Sequence, residues 1–109
     1  MKEAIALRKP TGTPVVNDCS TTNIGAGAYV QLSASLTAPA SAMQIYNGSA
    51  QPLKFAVGAA AAEKDIGYVV APSSVSPIIP VELKNAQRLT ARSVGGTANT
   101  GILVVNFLS

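Results

Sequence analysis

Gln87-Arg88-Leu89-Thr90-Ala91-Arg92-Ser93-Val94 and Ile102-Leu103-Val104-Val105-Asn106-Phe107 are separated by Gly95-Gly96-Thr97-Ala98-Asn99-Thr100-Gly101. Both flanking segments are rich in residues that suit a pleated surface, and the glycine-rich tract between them suits a turn, so the last third of the chain predicts a β-hairpin. Within the first segment Leu89 and Ala91 fall on one face and Arg88 and Arg92 on the other, because side chains alternate along a strand. That pattern turns Leu89 and Ala91 to the core. It leaves Arg88 and Arg92 either to form ion pairs across a subunit boundary or to keep one sheet face wet.

Upstream segments repeat the theme. Tyr29-Val30-Gln31-Leu32-Ser33-Ala34 and Ala42-Met43-Gln44-Ile45-Tyr46 read as strands, with Met43 and Ile45 sharing a face. Asn47-Gly48 follows, a hairpin signal because both residues accept positive φ, although the run to Pro52 makes the connection a loop of several residues. Leu53-Lys54-Phe55-Ala56-Val57 alternates, with Leu53, Phe55 and Val57 inward and Lys54 outward. Gly58 to Asp65 has the helix propensity of Ala59-Ala60-Ala61-Ala62 but is too short to hold a helix unaided, so it predicts a loop with at most one helical turn. Tyr68 to Ala71 is a short strand. Pro77 to Leu83 is extended, with Ile79, Val81 and Leu83 on one face, and Pro80 puts it at a sheet edge or a bulge because proline cannot donate to a ladder. Val15-Val16 is a short strand within a first stretch, residues 1–23, that otherwise lacks a period and reads as an extended N-terminal arm. The expected organisation is an arm over 1–23 and one all-β domain over 24–109. Six to eight short strands at even spacing predict an antiparallel sandwich or a small barrel.

Composition bounds the function. Of 109 residues, 12% are charged and 48% hydrophobic, against about 25% charged in ordinary soluble domains. Two accounts fit: other subunits cover much of the surface, or alanine, which is tolerated outside, inflates the apolar count. The net charge of +3 comes from eight scattered basic residues against five acids. Nucleic-acid binding calls for a clustered basic stripe, so no nucleic-acid partner is expected. Lys2, Arg8 and Lys9 come nearest to a cluster. They read either as solvation of the arm or as contacts to an acidic neighbour. No run approaches a membrane span, no membrane partner is expected, and synthesis in a cytoplasm follows from the lack of a signal-peptide core ahead of Arg8-Lys9-Pro10.

The chain has no histidine, which removes imidazole metal sites and histidine-based triads. Glu63 and Asp65 offer too few oxygens for calcium, and read as a solvated loop. Gly25-Ala26-Gly27 lacks the lysine and the strand-to-helix setting of a phosphate loop. Cys19, the single cysteine, has no base to activate it and reads as a small core or interface residue. Tyr29, Tyr46 and Tyr68 read as half-buried side chains with hydroxyls at the rim rather than as a stacking platform. No catalytic residue, metal site or cofactor is expected, and the protein is not expected to be an enzyme.

Met43-Gln44-Ile45-Tyr46-Asn47-Gly48-Ser49, Leu53-Lys54-Phe55-Ala56-Val57-Gly58, Gln87-Arg88-Leu89-Thr90-Ala91-Arg92-Ser93 and Gly101-Ile102-Leu103-Val104-Val105-Asn106-Phe107, taken in succession, resemble small virion proteins of tailed bacteriophages. The resemblance covers roughly 42–109 and is a pattern of strands and turns. It implies a capsid decoration (cement) protein or a related head or tail accessory protein. The implied fold is a β-sandwich or jelly roll. The implied partners are the major capsid protein and the protein itself, as dimer or trimer, on the capsid surface. Lys2, Arg8, Lys9, Arg88 and Arg92 are the candidate partner-binding residues. A fibre, vertex or tail module that binds a receptor or carbohydrate is the alternative.

Overall fold

A computed structural model describes residues 9–33, 39–59, 62–83 and 87–109. Among them are nine strands and no helix: β1 (Val15–Asp18), β2 (Val30–Gln31), β3 (Ala40–Asn47), β4 (Leu53–Gly58), β5 (Lys64–Val70), β6 (Ser74–Val75), β7 (Ile79–Leu83), β8 (Arg88–Ser93) and β9 (Ile102–Leu108). They form two antiparallel sheets. In the first, β1, β9, β3 and β6 lie side by side, with β7 also paired to β3; in the second the order is β2-β8-β4-β5.

The alternation read from the sequence decides which side chains meet between the sheets. Met43, Ile45, Ile79, Leu103, Val105 and Phe107 come from the first sheet, and Leu53, Phe55, Val70, Leu89 and Ala91 from the second. They form one buried cluster, joined by Cys19, Ile24 and Ala98 from the connections. The result is a sandwich-like pair of sheets around one core. Phe55 is its largest fully buried side chain, and truncating a phenylalanine so placed costs about 3–5 kcal/mol.

The expected final hairpin does not form. β8 pairs with β2 and β4, whereas β9 pairs with β1 and β3. The glycine-rich tract 95–101 therefore carries the chain from one sheet to the other. Asn47-Gly48 does the same: β3 and β4 lie in different sheets, so this signal too marks a crossing. The physical reason is common to both. Period-2 alternation fixes a strand's face but not its partner, and strands whose inner faces oppose one another across a core alternate just as hairpin strands do.

The two crossings touch. The Gly48 amide donates to the Ile102 carbonyl at 2.9 Å. A Cβ on Gly48 would lie 2.3 Å from that same oxygen, and one on Gly101, whose φ is +86°, would lie 2.0 Å from the Gly48 carbonyl oxygen. Beside them Asn47 is fully buried. Its Nδ2 donates to the carbonyls of Gln51 (2.8 Å) and Val70 (3.0 Å), and its Oδ1 accepts from the amide (3.0 Å) and hydroxyl (2.7 Å) of Ser49. Each polar group of this side chain is thus answered, as burial requires.

Three further expectations meet the structure. Lys64 and Asp65 belong to β5 rather than to a loop, and before them the Ala62 amide donates to the Ala59 carbonyl at 2.9 Å. Pro80 lies opposite Ala42 on β7, next to a register shift, as its missing N–H demands. The expected arm over 1–23 lies outside the described residues through residue 8. From Lys9 the chain runs beside β9: the Lys9 carbonyl accepts from the Ser109 amide (2.9 Å), the Thr11 amide donates to the Phe107 carbonyl (2.9 Å), and β1 continues the ladder.

Candidate interaction surfaces

The outer face of the second sheet gathers charge. On β8 the side chains of Leu89, Ala91 and Ser93 are buried, while Arg88 and Arg92 emerge on the opposite side, as the sequence pattern required. Arg88 Nε donates to Glu63 Oε2, and its Nη1 donates to Gln31 Oε1 at 2.8 Å. Arg92 faces Lys54 of β4 in the register, and its guanidinium carbon sits 5.6 Å from the centroid of the Tyr29 ring, within cation–π range. Arg92 Nε is buried without a hydrogen-bond acceptor. Beneath this layer Thr90 is buried, its hydroxyl donating to the Ala56 carbonyl at 3.2 Å.

Asp65 anchors the other half of the face. Its Oδ2 accepts from the Tyr29 hydroxyl at 2.5 Å and lies 3.5 Å from Lys54 Nζ, while its Oδ1 accepts from the Gly67 amide at 2.6 Å. The Tyr29 hydrogen bond is the main reason the Asp65 carboxyl titrates below the ordinary aspartate value; the Gly67 amide and Lys54 add to it against a smaller opposing effect of burial. Burial, followed by the bond to Asp65, pushes the Tyr29 phenol up to about 12. Both carboxylates of the face are thus neutralised from within, by Arg88 and by Lys54 with Tyr29. Among these residues three cations, Lys54, Arg88 and Arg92, stand against two carboxylates, Glu63 and Asp65, so the face they share is net cationic and donor-rich.

Of the five candidate partner-binding residues, the three that are described fall in two places. Arg88 and Arg92 share this face. Lys9 is exposed at the end of the first sheet, beside Ser109. Lys2 and Arg8 lie outside the described residues. The sequence reading did not connect Tyr29, Lys54, Glu63 and Asp65 with the two arginines. Lys54 was legible as outward-facing, but only the pairing of β4 with β8 brings it to Arg92.

The outer face of the first sheet is of opposite character. The register aligns Val16 with Val104, Val104 with Tyr46, and Tyr46 with Val75, so one row crosses four strands. Val16 is 64% exposed, Tyr46 43% and Val75 59%, and on neighbouring rows Ile102 is 41% exposed. No charged side chain belongs to the row. The next row toward the Leu108 end holds Asn106 opposite Gln44, and Asp18 stands opposite Ile102 at the other end, its carboxylate accepting from the amide (3.0 Å) and hydroxyl (2.7 Å) of Ser20. Those two bonds hold the Asp18 carboxyl below its ordinary value. The Tyr46 ring lies over Gly48, its Cε2 2.9 Å from where a Cβ would stand.

The remaining sequence candidates are structural. Cys19 is buried, its Sγ 3.6 Å from Asn17 Nδ2, and burial pushes its thiol upward. The Gly25 carbonyl accepts from the Ser93 amide at 3.0 Å, and no helix follows Gly25-Ala26-Gly27. Among the described residues no three cysteine or acidic side chains converge as a metal ion would need. No protein-family model, no curated protein and no solved structure matches this chain.

Proposed function

We propose that the protein is a structural, non-enzymatic virion component that decorates a phage capsid, binding across boundaries between major capsid proteins. In this reading it is made in the host cytoplasm and acts on the particle surface. The observation that carries the reading is the contrast between the two outer faces, one apolar and one cationic, on a small double-sheet scaffold. A component that must meet both its own kind and a second protein needs two such surfaces. The strand order supports it: β1-β9-β3-β6 opposite β2-β8-β4-β5, with six of the eight connections crossing between sheets, reads as a jelly roll, an architecture used in capsid domains. The resemblance of residues 42–109 to phage virion proteins points the same way. Lys54, Arg88 and Arg92 then meet acidic and carbonyl groups of the shell, and many weak copies reinforce one another by multivalency.

The test is binding of purified protein to shells assembled without it, read by co-sedimentation and by copy number on the particle. Hundreds of copies on the head, reduced at least tenfold in affinity by Arg92→Glu, are the expected result. Binding to glycans and never to shells would overturn the reading. That outcome belongs to the second reading, a receptor- or carbohydrate-binding module of a fibre, vertex or tail. It is favoured by the Tyr29 ring flanked by Asp65, Lys54 and Arg92.

A further inference from the structure

We propose that Asn47-Gly48 is a self-modification site that the fold holds closed: in the unfolded chain Asn47 deamidates through Gly48, and the product cannot rebuild the crossing between the sheets. The inference concerns how long the chain can stay unfolded, and it stands apart from any role on a shell.

The reacting groups are adjacent in sequence. Asn47 is the only asparagine of this chain that is followed by glycine. Glycine has no side chain to shield its nitrogen, and its backbone bends freely. Once that nitrogen gives up its proton it can attack Cγ of Asn47. The N–Cγ bond forms, the Cγ–Nδ2 bond breaks, and the amide nitrogen takes up a proton and leaves as ammonia. The cyclic imide that results adds water and opens to aspartate or isoaspartate at position 47. Water is the sole co-reactant, and nothing is oxidised or reduced. Asparagine counts among the thermolabile residues.

The folded chain blocks both halves of this step. The Gly48 amide donates to the Ile102 carbonyl at 2.9 Å, so the proton that must leave is held by β9. The Asn47 side chain is fully buried. Its Nδ2 donates to the Gln51 and Val70 carbonyls, and its Oδ1 accepts from the Ser49 amide and hydroxyl. Attack requires Cγ to turn toward the Gly48 nitrogen, which breaks these bonds. The reaction therefore waits for the crossing to open, and its rate follows the open population.

The product does not fit back. A carboxylate offers acceptors only. In place of Nδ2 it would set an oxygen against the Gln51 and Val70 carbonyls, which lie 2.8 and 3.0 Å from that nitrogen. A buried charge facing acceptors is strongly unfavourable. Isoaspartate adds a carbon to the backbone where the crossings already touch: a Cβ on Gly48 would lie 2.3 Å from the Ile102 oxygen, and one on Gly101 2.0 Å from the Gly48 oxygen. The glycine that this close approach demands is the same one that makes Asn47 labile.

The experiment follows wild type in two solutions of equal, mildly alkaline pH and equal temperature, one native and one in guanidinium chloride. Peptide mapping reads mass and isoaspartate at position 47. Deamidation is expected to run at least about a hundredfold faster in guanidinium, because native protein reacts only through its open fraction. Samples taken over time are then returned to native buffer, and the folded and unfolded fractions are mapped separately. Asparagine at position 47 is expected in the folded fraction, and aspartate or isoaspartate in the other. Asn47→Asp is expected to lose the cooperative unfolding transition at neutral pH; if that variant cannot be purified, the wild-type mapping decides alone. Rates that agree within about threefold in the two solutions overturn the inference. So do deamidated chains that refold with the wild-type midpoint, or chains that fail to refold with position 47 intact.

Discussion

Replacing Gly101 by alanine separates two costs that the touching crossings combine. The first is conformational. At φ +86° an L-residue places its Cβ against its own carbonyl, which costs about 1–2 kcal/mol. The second is steric. The new Cβ would stand 2.0 Å from the Gly48 carbonyl oxygen and 3.1 Å from the Ser49 Cα. Both are backbone atoms, so relief requires moving the β3–β4 connection, and overpacking of this kind costs about 1–3 kcal/mol. Together Gly101→Ala is expected to lose about 2–5 kcal/mol, a large share of the 5–15 kcal/mol that holds a domain of this size together. At about 4 °C per kcal/mol for a domain near 100 residues, the melting temperature falls by roughly 8–20 °C. Two companions isolate the parts. Gly67 has φ +74° with nothing within 4 Å of a built Cβ, so Gly67→Ala should show only the conformational cost, about 1–2 kcal/mol. Gly48→Ala meets the Ile102 carbonyl oxygen at 2.3 Å at an ordinary φ, so it should show only the steric one, about 1–3 kcal/mol. The assay is urea denaturation of all three variants beside wild type, with equal m-values required. If Gly101→Ala loses no more than Gly67→Ala, the two crossings do not press on each other and the reasoning is wrong.

Asn47→Ala leaves the Val70 and Gln51 carbonyls and the Ser49 amide without their buried partner, and is expected to cost about 2–4 kcal/mol in denaturant unfolding. Tyr29→Phe removes a bond from an aspartate whose pKa is depressed and from a phenol whose pKa is raised. Asp65 stabilises the fold above its unfolded value near 3.8, and that contribution fades as pH falls through its lower folded value. Tyr29 contributes fully below its unfolded value of 10.0, and loses that contribution as pH rises toward about 12. Both dependences should flatten in the variant, and the tyrosine absorbance titration should lose a component near pH 12. The Arg88–Glu63 pair, with side chains 26% and 13% exposed, should show a coupling of about 0.5–1 kcal/mol in a double-mutant cycle. Cys19 should react with a maleimide only as fast as the domain opens, so that adding urea below the transition accelerates labelling and Asn17→Ala changes it little.

Much of the strand content was legible because it depends on local pattern. Leu53, Phe55, Leu89, Ala91, Met43 and Ile45 all face the core as their alternation indicates. Pro80 sits at an irregular sheet position because proline carries its restriction wherever it goes. Partnership was not legible. The tract from Gly95 to Gly101 contains the right residues for a hairpin tip, yet only the opposition of Leu89 and Leu103 across a shared core makes it a crossing. The alanine-rich sequence before Asp65 predicts a loop, whereas pairing with Ala56 draws it into β5. The charged face had the same limit. Arg88 and Arg92 were visible as a pair, but Glu63, Gln31 and Tyr29 reach them from segments distant in sequence. The apolar row escaped notice altogether, since Val16, Tyr46, Val75 and Val104 come from four strands and share nothing but register.

The place of β9 has a consequence for how the chain comes into being. This strand lies between β1 and β3, yet it is translated after both. Until it emerges, β1 has no neighbour in its sheet and β3 shows a bare flank of amides and carbonyls. A nascent chain halted before Ile102 would hold most of its hydrophobic residues but expose two open edges, the kind that recruit other chains. Closure of the first sheet therefore waits on β9 sliding into the gap between β1 and β3, and the high sequence separation of its contacts makes that step slow. The interval before β9 emerges is the one open to edge pairing, so slowing translation between β3 and β9 should lower the soluble yield in an expression host.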